Sequence, residues 1–142
     1  MIAVDTNILI YAHRAEADLH DTAVAELARL AEGHDLWALP VFCVTEFLRV
    51  VTHRRVFNPP STSSEALDFV NSLIAAPTCV VVRPEAGFLK HLEVAIRQAD
   101  ARGNLVFDAQ IAALCREHGI ATILTRDQDF KRFDGLQVRV ME

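Results

Sequence analysis

The chain opens Met1-Ile-Ala-Val-Asp5-Thr-Asn-Ile-Leu-Ile10, and the reading of this stretch decides the fold. Ile2, Ala3 and Val4 make a short apolar run that Asp5 breaks, after which apolar residues return at helical spacing. The pattern predicts a buried strand over residues 2–5 passing directly into a short helix from about Asn7. A secretory leader needs a basic start and an unbroken apolar stretch. Here Asp5 and Asn7 interrupt it, so the segment reads as the first strand of the fold. The longest apolar runs fall far short of the ~20 residues of a membrane-spanning helix, and no membrane association is expected.

Outward from this strand the same alternation repeats. A helix is predicted over residues 20–32, with Ala23, Leu27, Leu30 and Ala31 on one face, then a strand over 36–39. Pro40 suits the first turn of a helix over about 40–54, whose apolar stripe reads as Val41, Val44, Leu48 and Val51. Asn58-Pro59-Pro60-Ser61 is a loop. Thr62-x-x-Glu65 is a capping box opening a helix on which Ala66, Phe69, Val70, Leu73 and Ile74 recur. Residues 79–83 read as a compact buried strand, and Pro84 is expected to open the next helix with Leu89, Leu92 and Ile96 inward. Gly103-Asn104 breaks the chain before a helix over 105–118, which Gly119 ends at its C′ position. Residues 121–125 form a strand, 127–133 a short helical turn and 136–140 a last strand. Strands alternating with helices, without repeat or linker, predict one α/β domain over residues 1–142 with a mainly parallel sheet.

Cys43, Cys79 and Cys115 are far apart and form no C-x-x-C pair. Disulfides and a cysteine zinc site are not expected, and free thiols in apolar surroundings point to a reducing, cytoplasmic compartment. The six histidines form no H-E-x-x-H pair, which argues against a zinc hydrolase. The formal net charge of −5 weighs against a nucleic-acid partner. Two facts weigh on the other side. Bound divalent metal would offset a clustered acidic site, and 12 of the 14 basic residues are arginine, the better side chain for bidentate phosphate contact. Arginine and alanine richness is equally what genome base composition produces.

Four acids stand out. Asp5 follows the first strand and Asp127 follows the strand over 121–125, and ligands in open α/β sheets bind outside such strand ends. Taken alone, each is also an ordinary helix cap. Glu46 interrupts the apolar segment around Phe47 and Leu48, and Asp108 shares a helix face with Leu105, Ala112 and Cys115. A charge on such a face is expensive unless it is paired or metal-bound; a helical ion pair of Glu46 with Arg49 is the plainer alternative. Together, four oxygen ligands suit a hard cation such as Mg²⁺, with Mn²⁺ as substitute, and not zinc. That ion suits hydrolysis of a phosphodiester by an in-line water. Spacing alone leaves open whether the four converge.

Four segments carry a resemblance: Val4-Asp5-Thr6-Asn7, Thr45-Glu46-Phe47, Asn104-Leu-Val-Phe-Asp108-Ala109 and Thr125-Arg-Asp127-Gln-Asp129-Phe130. In this order and at these separations the chain resembles a PIN domain, in particular the VapC-type toxins of bacterial toxin–antitoxin pairs. The resemblance covers essentially the whole chain. It implies the strand order 3-2-1-4-5 and a metal-dependent endoribonuclease. It assigns Asp5, Glu46, Asp108 and Asp127 to catalysis and metal binding, with Thr6, Asn7 and Thr125 orienting them. It further implies an RNA substrate, a homodimer and a cognate antitoxin that enters the active-site groove. Asp129 is able to supplement or replace Asp127; it is read here as capping the turn into Phe130. Arg49, His53, Arg54 and Arg55 form a candidate phosphate-steering face, although a solvated helix end explains them equally well.

Other classes fit less well. A haloacid-dehalogenase phosphatase needs a second aspartate two residues after the first, where this chain has Asn7. A response-regulator receiver needs an adjacent acidic pair near the start, and none is present. An RNA-processing nuclease on the same fold, or a non-catalytic PIN-like binding module, remains the alternative; four intact acids argue against the second.

Overall fold

Strands that are apolar on both faces must be covered on both, and the connecting helices of this chain do so. The computed structural model describes residues 1–142. Strand β1 (Ile2–Val4) is followed by helices α1 (Thr6–His13) and α2 (His20–Glu32). β2 (Trp37–Pro40) is followed by α3 (Val41–Val51) and α4 (Ser63–Ile74), and β3 (Cys79–Val82) by α5 (Phe88–Ala99) and α6 (Leu105–Glu117). β4 (Thr122–Thr125), a 3-10 turn (Gln128–Arg132) and β5 (Gln137–Val140) complete the chain. All five strands are parallel, in the order β3-β2-β1-β4-β5. The fold class and strand order are those expected.

This order places the site. From β1 the chain moves outward through β2 to β3, then crosses back to β4 on the other side of β1. Right-handed crossovers running in opposite directions put their helices on opposite faces. The crevice at the carboxyl ends of β1 and β4 is therefore the switch point where ligands bind. Val4 is in register with Leu124, so Asp5 and Thr125 leave the sheet side by side. The Asp5 amide still donates to the Leu124 carbonyl at 3.0 Å, which pins Asp5 to the sheet as the strand turns into α1.

The core runs through the sheet, with Ile8, Leu9, Trp37, Leu39, Phe47, Leu114, Ile123 and Phe130 buried. Trp37 meets the polar need of its indole by donating to Thr78 Oγ1 at 3.2 Å, and that hydroxyl donates to the Leu30 carbonyl at 3.0 Å. Two details differ from the sequence reading. On α3 the buried stripe is Cys43, Phe47 and Val51, while Val41, Val44 and Leu48 are half-buried. Phe47 sits among the rings of His13 and Phe69, 5.3 and 5.1 Å away between centroids, and a ring buries more area there than Val44 or Leu48 would. Helix α5 starts at Phe88 rather than at Pro84, because the Glu85 amide donates to Glu117 Oε1 at 2.8 Å and holds the preceding segment off the helix. Leu89, expected inward, is 74% exposed. It lies roughly 100° around the helix from Phe88, at the margin of the buried face, in the first turn.

Candidate active site

Asp5 is the N-cap of α1. Its Oδ1 accepts from the Thr6 amide at 2.7 Å, and its Oδ2 accepts from Thr125 Oγ1 at 2.6 Å. Thr6 Oγ1 donates to Glu46 Oε2 at 3.1 Å, so the third helix is tied to the first strand end through one hydroxyl. On the other side, Thr125 Oγ1 accepts from the Asp127 amide at 2.9 Å and, in a longer contact, from Asn7 Nδ2 at 3.4 Å. Asn7 Oδ1 accepts from the Arg126 amide at 3.3 Å. Thr6, Asn7 and Thr125 thus link the segments that carry the acids.

Asp108, Asp127 and Asp129 each present a carboxylate oxygen within 4.8 Å of the other two. They line a groove of about 370 Å³ together with Glu46, Arg49, Asn104, Leu105 and Phe107. Asp5 is more deeply buried, only 6% exposed, and belongs neither to this close group nor to the groove's lining. The turn after β4 is capped by Asp127, whose Oδ1 accepts from the Asp129 amide at 2.8 Å. The sequence reading gave that cap to Asp129. A cap must precede the turn it closes, and the turn begins at Gln128, so Asp129 is left exposed with its carboxylate facing Asp108 and Asp127. Of the four basic residues proposed to steer phosphate, Arg49 lines the groove. His53, Arg54 and Arg55 lie beyond the end of α3 and are not part of its lining. Phe107 and Asn104 line the groove without having been singled out. The signal for Phe107 was present: an aromatic residue beside Asp108 and off the apolar face of α6.

Clustered charge shows in the titration of these groups. Burial raises Asp108 from the usual carboxylate range to about 7, and the charges of Asp127, Asp5, Asp129 and Glu46 add to it. Burial likewise raises Asp5 to about 6, against the pull of the Thr125 and Thr6 hydrogen bonds, with Glu46 and Asp127 raising it further. No arginine, lysine or histidine forms an ion pair with Asp5, Glu46, Asp108 or Asp127; Asp129 alone has one, with Arg132 at 3.5 Å. Buried negative charge without a protein counter-charge, built from oxygen donors alone, fits a hard divalent cation. The one nearby soft ligand is disqualified. Cys43 Sγ lies 3.9 Å from Asp5 Oδ1, but burial and that charge push its thiol well up, so it fills space under the site.

Comparison with known proteins bears on the family and the fold. A family model described as the PIN domain matches residues 2–136. VapC ribonuclease Mb2897 of Mycobacterium bovis is 38% identical over 139 residues, covering 98% of this chain and 94% of the relative. Ribonuclease VapC31 of Mycobacterium tuberculosis is 35% identical over 137 residues, 96% of each chain. Among solved structures, VapBC2 from Rickettsia felis bound to a promoter DNA fragment aligns over 100% of both chains with a TM-score of 0.71 and 20% identity. Mycobacterium tuberculosis VapC20, a toxin that cleaves the sarcin–ricin loop, aligns over 96% of this chain and 98% of its own, with a TM-score of 0.69 and 18% identity. At these identities the structural likenesses speak for the fold, while the sequence relatives carry the kinship: the chain belongs to the PIN-domain family, among the VapC ribonucleases.

Proposed function

We propose that this chain is a Mg²⁺-dependent endoribonuclease that hydrolyses phosphodiester bonds, and that it is the toxin of a toxin–antitoxin pair. The observation that carries the reading is the convergence of Asp108, Asp127 and Asp129 to within 4.8 Å, close enough to Asp5 and Glu46 for their charges to act on Asp108, with no ion pair formed by Asp5, Glu46, Asp108 or Asp127. Sequence relatives named as ribonucleases support the substrate class.

In this reading Asp5, Glu46, Asp108 and Asp127 would hold the ion, and Asp129, whose carboxylate comes within 4.8 Å of those of Asp108 and Asp127, would serve as a further oxygen ligand. When bound, Mg²⁺, or Mn²⁺ in its place, supplies Lewis acidity towards an attacking water and a departing oxygen. The protein's own part is positioning. Thr125 turns the Asp5 carboxylate with one hydrogen bond and Thr6 does the same for Glu46, the kind of outer support that usually sets affinity and activity at a metal site. Arg49 lines the same groove and receives a phosphate that the carboxylates would otherwise repel. The basic residues His53, Arg54 and Arg55 extend this reading only as a more distant field. A homodimer and an antitoxin partner belong to the same reading; the likeness to VapBC structures supports a partner protein.

The test is chemical. Purified protein should cut RNA in Mg²⁺ or Mn²⁺, lose cleavage in EDTA, and recover it poorly in Ca²⁺, whose looser geometry positions a nucleophile less well. The groove is lined by no histidine that could drive the RNA's own 2′-OH into the phosphate. The fragments should therefore carry a 5′-phosphate and a 3′-hydroxyl. Equal cutting in excess chelator, or cyclic phosphate ends, would overturn the mechanism.

A further inference from the structure

Beside the acidic groove lies a second hollow of about 240 Å³. Phe42, Phe107 and Ile111 supply its apolar lining, and Thr45 and Gln110 its polar edge. Glu46, Arg49 and Phe107 line both hollows, so the two are continuous. Phe107 is 59% exposed, one residue before Asp108. Leaving a ring in water forgoes the hydrophobic gain of burying it, and packing in the core does not account for this one. Phe42 is braced by the Phe88 ring at 5.7 Å, so that part of the hollow is held in place.

We propose that this hollow is a nucleobase subsite, in which one unpaired base of an RNA strand stacks on Phe107 while the adjoining phosphate lies at the carboxylates. The proposal rests on the ribonuclease reading of the acidic groove. The hollow has the size for one flat heterocycle. Continuity with the groove argues for a ligand whose apolar and phosphate parts are neighbours, as they are in a nucleotide. The edge argues the same way. Thr45 Oγ1 gives its proton to the Phe42 carbonyl at 3.1 Å and keeps its lone pairs for a base, and Gln110 offers both a donor and an acceptor. Arg49, at the boundary of the two hollows, is in no ion pair and can meet the phosphate between them. A base held in this way has left any duplex, so the substrate class is single-stranded or loop RNA.

The test couples the protein to the missing base. Cut sites are mapped on total bacterial RNA, and an oligoribonucleotide spanning one site is made intact and with an abasic residue at each nucleotide flanking the cut. Removing the base that enters the hollow should lower kcat/KM for the wild type by about tenfold or more, the usual worth of one stacked base. Phe107→Ala should lower it on the intact strand by a similar factor, and the two losses should not add. Phe107→Trp should restore cutting and Phe107→Leu should not, because the aromatic face makes the contact. Additive losses, or an unchanged kcat/KM in Phe107→Ala, overturn the proposal. A changed oligomeric state of Phe107→Ala by light scattering also overturns it, since the face then covers a second copy of the chain. If the wild type cuts no RNA, the ribonuclease reading fails, and stacking is read separately. An oligoribonucleotide carrying 2-aminopurine should be quenched by Asp108→Asn protein and not by the same protein with Phe107→Ala. Quenching indifferent to Phe107 overturns the subsite alone.

Discussion

A hydroxyl has one proton to give and two lone pairs with which to receive, and Thr125 uses all of them. It donates to Asp5, accepts from the Asp127 amide at close range and accepts from Asn7 at a distance. It is fully buried, so water cannot replace any of these partners. Thr125→Val keeps the shape and removes the proton and lone pairs. It should cost about 1–3 kcal/mol in thermal or denaturant unfolding and weaken metal binding about 10–100-fold, whereas Thr125→Ser should recover most of both. The acids themselves should behave in the opposite sense. Asp5 and Asp108 have folded-state values of about 6 and about 7, above the ordinary carboxylate value of 3.8. The folded chain therefore binds more protons than the unfolded one between those values, and stability falls as pH rises from about 4 to about 7. Metal-free protein should be measurably less stable at pH 7.5 than at pH 5, by on the order of 1–3 kcal/mol, and Mg²⁺ should restore the loss at the higher pH. Asp108→Asn should flatten this pH profile, unfold no earlier than wild type at pH 7.5, and lose most cleavage. A mutant that unfolds markedly earlier would mark Asp108 as structural instead.

Individual elements were legible where local chemistry was decisive and obscure where packing chose between equals. The Thr62-x-x-Glu65 capping box is present with both of its hydrogen bonds, and Gly119 adopts the left-handed φ of +67° that ends α6. Both are written in a few adjacent residues. The stripe of α3 was not, because that helix is apolar nearly all round, and only the rings of His13 and Phe69 select Phe47 as the inward residue. Phe47→Ala should therefore destabilise the fold by about 3–5 kcal/mol, while Val44→Ala, on a half-buried position, should cost much less. Chemical denaturation of the two variants checks the assignment. The acids show the same division. Asp5 and Asp127 could be placed at strand ends from sequence, since a strand end is a local feature. That Asp129 joins Asp108 and Asp127 depends on where the turn Gln128–Arg132 begins and on how α6 lies against it, and neither is set by neighbouring residues.

At the scale of the whole molecule, the reading predicts a biological signature. Expression of the chain alone should arrest bacterial growth, Asp5→Asn should be harmless, and co-expression of a cognate antitoxin should relieve the arrest; normal growth with active protein present would point to RNA processing instead. The strand order adds something about timing. Asp5 comes from the first strand end, Glu46 from the third helix, Asp108 from the sixth, and Thr125 and Asp127 from the end of β4, which lies next to β1 although β2 and β3 come between them in sequence. A ribosome making this chain releases the first acid early and the last only near the finish. Until β4 has emerged and docked beside β1, Asp5 lacks the hydroxyl that orients it and the groove lacks one wall. On this reading the nascent chain should spare the ribosome and messenger that produce it, and a fragment ending before residue 122 should show no RNA cleavage when assayed beside the full chain.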